Sequence, residues 1–393
     1  MKIKNGILVL PDKLIRGGIE LENGIITAIL PDETADESTD AIDANGGYIA
    51  PGLIDIHVHG GGGADFMDCT HEAFETACNF HLSRGVTTLL PTSVTAPVDL
   101  IERFFDAARC EMKLNPMIAG VHAEGPYLSK KNRGAQPERY LRVPQNDSYD
   151  FLLKNSDIIR TVTLSPELPG APEMTKRLKA AGIVVAGGHD DGRKSLIKPT
   201  IDAGLSHLTH LWCAMSVAGM YSGVREPGLL ELGLTCESLT AEIIADGCHM
   251  PPELVKIVYR MKGAERMAIV SDCLRAGGMP RDGRLWTLGA EPFMYGEDAP
   301  EPTRFIVADG VARLPDGTRL AGSIKSIGDM LAGLTDCQIP VHEAFMTATL
   351  TPARIIGIDK THGSLEIGKV ADIAVFDNRL KPVTVIKGGK KVK

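Results

Sequence analysis

Residues 52–66 read "GLIDIHVHGGGGADF": an apolar run, two histidines, then four consecutive glycines. A short apolar run bounded by turn residues reads as a buried strand. His57 and His59 lie two apart at its carboxyl end, so both imidazoles leave the same face. Neutral imidazole is a good ligand for zinc and similar divalent ions. Gly60 to Gly63 then read as a place where the backbone passes close to a metal and its substrate without side-chain obstruction.

Outward from this strand the chain keeps a rhythm. Further buried-type strand runs fall at 87–92, 117–125, 158–165, 182–189, 206–212, 239–247 and 266–273, with the first at 52–59. Helical patterns separate most of them. Residues 97–112 start near Pro97 and space Leu100, Ile101, Phe104, Phe105 and Ala108 for one helix face. Residues 70–84 have Thr70 as N-cap and Gly85 as the stop, and 251–262 open with two prolines. Pro199 counts against a helix over 194–204. Eight strand–helix units predict an α/β chain folded as a (β/α)8 TIM-like barrel, with a doubly wound sheet as the structural rival.

The two ends read differently. Residues 1–50 and 351–393 hold short strands and turns such as Glu22-Asn23-Gly24. Neither end can bury both faces of its strands alone. They are therefore expected to pair into one small β-sandwich domain flanking a barrel over 51–350. Residues 290–322 break the barrel rhythm, and Asp316-Gly317 marks a turn, which predicts an inserted β-hairpin after the last barrel strand.

Composition narrows the partners. The 393 residues are 44% hydrophobic, enough for at least one large core, and the net charge is -8. That balance argues against a general nucleic-acid or anionic-membrane surface. No run of about 18 apolar residues is present, so no membrane span is expected. Eight scattered cysteines without a CxxC pair read as reduced thiols packed in a cytoplasmic protein. The glycine run lacks the Lys-Ser/Thr of a phosphate-binding Walker loop.

Polar residues gather at one end of the predicted strands. His57 and His59 close the first, His122 and Glu124 the third, His189 the fifth, His210 the sixth. Asp246 and His249 follow the seventh, and Asp272 closes the eighth after "MAIVS". In a barrel these ends form one rim, where active sites are built. His57, His59, Glu124, His189 and His210 make five ligands, enough for one divalent ion or for two bridged by Glu124. Asp272 is the candidate general acid/base, with a helix cap as its bland alternative. His122 either faces away from Glu124 or supports a ligand from behind. His71, His81, His207, His342 and His362 read as ordinary hydrogen-bonded histidines.

Longer motifs sharpen this. "APGLIDIHVHGGGG" and the tail "GKVADIAVFD" resemble metal-dependent amidohydrolases. "HAEGPYLSKKNRGAQ", "THLWCAM", "REPGLL", "IIADGCHM", "SDC" and "RLAGS", in this order, resemble the N-acetylglucosamine-6-phosphate deacetylases over essentially the whole chain. The resemblance implies a divalent metal, zinc first with iron or manganese as alternatives, on Glu124, His189 and His210. His57 and His59 are then available for a second ion, and Asp272 is the general acid/base. It implies substrate contacts at Ala135, Gln136, Cys213, Ala214, Leu320, Ala321 and Gly322, and phosphate contacts at His249 and Arg225. In relatives the arginine comes from the neighbouring subunit, which implies a homodimer. The chain departs from the pattern at Ala123 (usually leucine), Gln136 (histidine), Asp190 (serine or threonine) and Cys213 (asparagine). These changes cluster at the sugar and carbonyl contacts and leave the metal set intact. The expected chemistry is hydrolysis of an amino-sugar phosphate acetamide. The alternatives are a relative acting on another N-acyl amino sugar or a cyclic amide, and a non-catalytic scaffold, which would be expected to have lost ligands.

Overall fold

The computed structural model describes residues 1–31, 41–291 and 302–393. Eight parallel strands follow one another around a barrel: Leu53–Val58, Val86–Ser93, Val121–Glu124, Ile159–Leu164, Val184–Gly187, His207–Leu208, Thr240–Ile243 and Met267–Ile269. Seven ladders join neighbours, from the first strand to the eighth. Individual hydrogen bonds close the remaining seam. The Asp272 N–H donates to His57 O at 2.9 Å, and the His59 and Gly60 N–H groups donate to Cys273 O at 3.0 and 2.8 Å. Every residue of Leu53–Val58 is buried, as expected of a strand covered on both faces.

The helices form where their caps and periodicity place them. His71–Leu82 starts on Thr70, whose Oγ1 accepts from the Ala73 N–H at 3.1 Å. Val98–Leu114 buries Leu100, Ile101, Phe104, Phe105 and Ala108. Pro252–Lys262 follows the two prolines. A helix also forms over Lys194–Ala203 despite Pro199. The missing N–H costs one interior bond. Burial of Ile197, and of Thr200, whose hydroxyl donates to Pro166 O at 2.5 Å, offsets that loss.

The terminal strands join one sheet. Its order is Lys390–Lys391, Pro382–Lys387, Ile373–Phe376, Tyr48–Pro51, Lys2–Val9, Leu14–Glu22 and Ile25–Pro31, with Ala41–Asp43 also paired to Lys2–Val9. Tyr48–Pro51 runs antiparallel to Ile373–Phe376, so the entry and exit strands of the barrel are hydrogen-bonded to each other. A separate core of Ile3, Leu8, Ile19, Ile49, Leu365, Ile373 and Ile386 draws on both ends of the chain.

Three expectations need correction. First, the strands are shorter than their apolar runs. His189, His210 and Asp272 lie two, two and three residues past the last paired residue, with φ of 50°, 27° and 45°. Left-handed backbone is costly for non-glycine residues and is concentrated at functional sites. Here it turns all three side chains inward across the mouth. Second, the insertion over 290–322 is more than a hairpin. Leu285–Thr287, Arg304–Ala308, Val311–Arg313 and Leu320–Gly322 form a four-stranded antiparallel sheet. The part of that expected insertion at 292–301 lies outside the described residues. Third, Gly60 to Gly63 do not line the cavity. Gly60–Gly61 pairs with Ala64–Asp65 in a tight hairpin, and the Gly62 and Gly63 N–H groups bond to Gly277 O and Arg275 O. A Cβ at Gly60 would run into the Ala64 carbonyl, so the glycines close the barrel seam instead of exposing backbone to substrate. Gly60→Ala is expected to lower stability by about 1–3 kcal/mol, the usual cost of overpacking. A urea midpoint equal to that of the unaltered protein would contradict this.

Candidate metal centre

The carboxyl ends of the barrel strands open into a cavity of about 370 Å³. Its floor is a buried cluster around Glu124. Glu124 Oε1 lies 3.0 Å from His189 Nε2, 3.1 Å from His210 Nε2 and 3.6 Å from His57 Nε2. Its Oε2 lies 3.4 Å from His59 Nε2. Asp272 Oδ1 approaches the same rings, 3.2 Å from His59 Nε2 and 3.6 Å from His57 Nε2. The five ligand candidates and Asp272, drawn from strand ends between His57 and Asp272, are thereby brought together.

The ring nitrogens facing away from this centre decide what it can hold. His57 Nδ1 meets Glu242 Oε2 at 3.0 Å, His59 Nδ1 meets Thr92 O at 3.1 Å, and His189 Nδ1 meets Asn132 O at 3.0 Å. Carboxylate and carbonyl oxygens only accept, so each of these Nδ1 atoms carries a proton, and in the neutral ring Nε2 is the nitrogen that offers a lone pair. Burial works against charge on His57 and His59, but without a metal the Glu124, Glu242 and Asp272 carboxylates outweigh it and raise both rings, His59 to about 9. Those Nε2 atoms point at one another and at Glu124. His57 Nε2 is buried with no hydrogen-bond partner among the described residues, and the His189 and His210 Nε2 atoms lie 3.2 Å apart. Four Nε2 atoms converging on one carboxylate fit a divalent cation, which would replace the ring protons on binding. Three close groupings of ligand-type atoms result: His57/His59/Glu124 and Glu124/His189/His210, which share Glu124, and His57/His122/Glu242.

Electrostatics agree with ionised carboxylates. Burial works against the charge of Asp272, but the His59, His57 and His210 imidazoles outweigh it and hold the carboxyl below its usual range. Glu124 is held down in the same way, burial being overcome by His57, His189 and His210.

The predicted substrate contacts divide into two sets. Ala135, Gln136, Cys213, Ala214, His249, Leu320, Ala321 and Gly322 all line the cavity. Leu320 to Gly322 arrive on the last strand of the inserted sheet. Arg225 does not line it. It is exposed on a surface hairpin, Gly219–Tyr221 with Val224–Glu226. His249 is steadied by Asp246, its Nδ1 lying 2.8 Å from Asp246 Oδ2. Gln136 is engaged at both ends: Nε2 donates to Glu124 Oε2 at 2.6 Å, and Oε1 accepts from the Thr95 N–H at 2.7 Å. Asp190 is buried away from the centre and accepts from the Ser216 N–H at 2.9 Å and the Ser216 hydroxyl at 2.5 Å, pinning the loop that carries Cys213 and Ala214. The Cys213 thiol is pushed up to about 12 by burial and by Asp272 and Asp246, so it stays protonated.

Sequence reasoning missed Glu242, the acceptor behind His57, and Lys131, Asn132, Trp212 and Arg319 on the cavity wall. Glu242 left one signal: an ionisable residue inside the apolar run "TAEIIAD". Arg319 left none, because its place depends on how the inserted sheet folds over the mouth. His122 lies behind His57, ring centroids 4.5 Å apart, with Nε2 2.7 Å from Thr163 Oγ1.

A (β/α)8 barrel with this rim of histidines and carboxylates is the arrangement of the metal-dependent amidohydrolases, and the model of the Amidohydrolase family matches residues 48–392. Within that class the similarity is specific. The chain is 34% identical to N-acetylglucosamine-6-phosphate deacetylase of Vibrio furnissii, covering 93% of this chain and 88% of that one. It is 32% identical to N-acetylgalactosamine-6-phosphate deacetylase of Escherichia coli O157:H7, covering 92% and 91%. The crystal structure of N-acetyl-D-glucosamine-6-phosphate deacetylase from Mycobacterium smegmatis superposes with a TM-score of 0.89 at 27% identity over 100% of both chains. The chain belongs to the N-acetylglucosamine-6-phosphate deacetylase family. Among the described residues, no helix is long and apolar enough to cross a membrane.

Proposed function

We propose that the chain hydrolyses the acetamide of an N-acetylhexosamine 6-phosphate, N-acetylglucosamine 6-phosphate first, to acetate and the amino-sugar phosphate. The observation that carries this reading is the Glu124 carboxylate ringed by four imidazole Nε2 atoms, with Asp272 facing two of the same rings. Glu124, His189 and His210 hold one divalent ion, and His57 and His59 with Glu124 hold a second; zinc suits the imidazole-rich set. When bound, such an ion supplies Lewis acidity, lowering the pKa of water and polarising a carbonyl.

The chain's own groups do the rest. Asp272, ionised, accepts the proton of the attacking water and returns it to the departing amine nitrogen, so that one water is consumed and acetate and amine leave. One Gln136 N–H is committed to Glu124; its second N–H is free to meet the substrate carbonyl. Cys213 and Ala214 form the sugar wall opposite Leu320 to Gly322. The phosphate is held by His249 and by Arg225 of the partner subunit, which makes the working form a homodimer. Support for this comes from Arg225 lying exposed outside the cavity of its own chain. Anchoring the remote phosphate orients the acetamide at the centre.

Acetate release by metal-reconstituted protein tests the reading against four sugars: N-acetylglucosamine and N-acetylgalactosamine, each with and without the 6-phosphate. The phosphorylated gluco substrate is expected to turn over fastest. Loss of the phosphate should lower kcat/KM by about 10- to 100-fold, the worth of one or two charged hydrogen bonds. A preference for the galacto epimer would move the assignment to that sugar. Metal-loaded protein that releases acetate from none of them would refute the proposal.

A further inference from the structure

We propose that Glu242 is a positioning residue that creates the second metal position by fixing the tautomer of His57; this rests on the metal-centre reading above. Glu242 is completely buried in the middle of the seventh barrel strand. Its Oε2 lies 3.0 Å from His57 Nδ1 and accepts from the His210 main-chain N–H at 3.3 Å. Its Oε1 lies 3.0 Å from His207 Nε2, and His207 Nδ1 lies 2.7 Å from Thr240 Oγ1. The carboxylate is thus gripped from both sides, and the chain Thr240–His207–Glu242–His57 runs across the barrel interior beneath the centre.

Imidazole offers a metal one lone pair, and the proton on the other nitrogen decides which. For His59 and His189 that proton goes to main-chain carbonyls, Thr92 O and Asn132 O, which no side-chain change removes. His57 is different: its acceptor is a side chain, and a charged one. A carboxylate behind a ligating histidine holds the ring's orientation and raises the basicity of the ligating nitrogen. His57 Nε2 is a buried atom without a hydrogen-bond partner among the described residues, and it faces Glu124 and Asp272 at 3.6 Å. An ion at His57/His59/Glu124 therefore depends on Glu242. An ion at Glu124/His189/His210 meets the carboxylate only through the His210 backbone.

Glu242→Gln keeps the shape but removes the charge and offers one acceptor oxygen for two imidazoles. Metal-free protein, unaltered and E242Q, is titrated with zinc alone against a competing chelator, and the thermal midpoint of each metal-free form is recorded. The unaltered protein is expected to bind two ions. E242Q should bind one with unchanged affinity and the other about 10- to 100-fold more weakly, a selective loss that a general weakening of the fold would not produce. Two ions bound equally tightly by both proteins, or one ion by the unaltered protein, would overturn this inference and leave the proposed hydrolysis standing. No ion bound by the unaltered protein would overturn both. If E242Q does not fold, nitrogen NMR of histidine-labelled, zinc-loaded unaltered protein still decides: His57 is expected to keep its proton on Nδ1 and to meet the ion through Nε2, and the reverse arrangement overturns the proposal.

Discussion

Asp272→Asn is expected to lower kcat by about 10²–10⁴-fold, the range that a positioned proton-transfer group contributes, while metal content stays at its unaltered level. The amide matches the carboxylate in size, so the contacts of Asp272 N–H with His57 O and of Ser323 N–H with Asp272 O survive. What is lost is a base facing the His57 and His59 rings. Asparagine cannot take a proton from water, nor hand one to the leaving amine. In the proposed reaction Asp272 acts in both halves, so substrate binding should change little and the loss should fall on kcat. Acetate release at saturating substrate, with metal analysis of the same sample, makes the check. Turnover equal to that of the unaltered protein would remove Asp272 from the mechanism. Loss of both ions would make it a ligand instead.

Glu124→Gln is expected to have the broader effect, with bound metal falling at least about 100-fold in affinity and acetate release disappearing with it. Glu124 is the one group that both ligand triads share. Its two oxygens face four imidazoles, so removal of its charge reaches every nitrogen of the centre at once. A single histidine change touches one position. The amide keeps one acceptor oxygen where the carboxylate has two, so the Gln136 N–H that now donates to Glu124 Oε2 at 2.6 Å would compete with the imidazoles for it. Zinc titration of the metal-free variant, with circular dichroism to establish that it is folded, distinguishes loss of the centre from loss of the barrel. A folded variant that keeps two ions would show that Glu124 bridges nothing.

Much of this molecule is written locally. The His57/His59 pair is legible because a strand sends alternate residues to one face, whatever surrounds it. Thr70 and Pro97 mark helix starts because capping is a matter of a few neighbouring backbone groups. The alternation of buried runs with helices narrows the fold to a barrel or a doubly wound sheet, and the order of the ladders decides for the barrel. Glu242 and Gln136 were harder, for one reason. Each owes its position to a partner outside its own local segment: His57, 185 residues away, for the first, and Glu124, 12 residues away, for the second. A polar side chain in a buried run announces that a partner exists, but not which one.

The amino-acid sequence alone determined the alternation of strands with helices, the β character of the two ends and which polar residues stand at the strand ends as candidates, since strand period, caps and residue chemistry act over a few positions. Tertiary structure alone decided that the glycines seal the barrel, that His189, His210 and Asp272 reach the centre from left-handed turns, and that Arg225 stands outside its own cavity. Those outcomes depend on how strand ends and loops from distant segments pack around the rim, where a single left-handed residue past the end of a strand redirects its side chain.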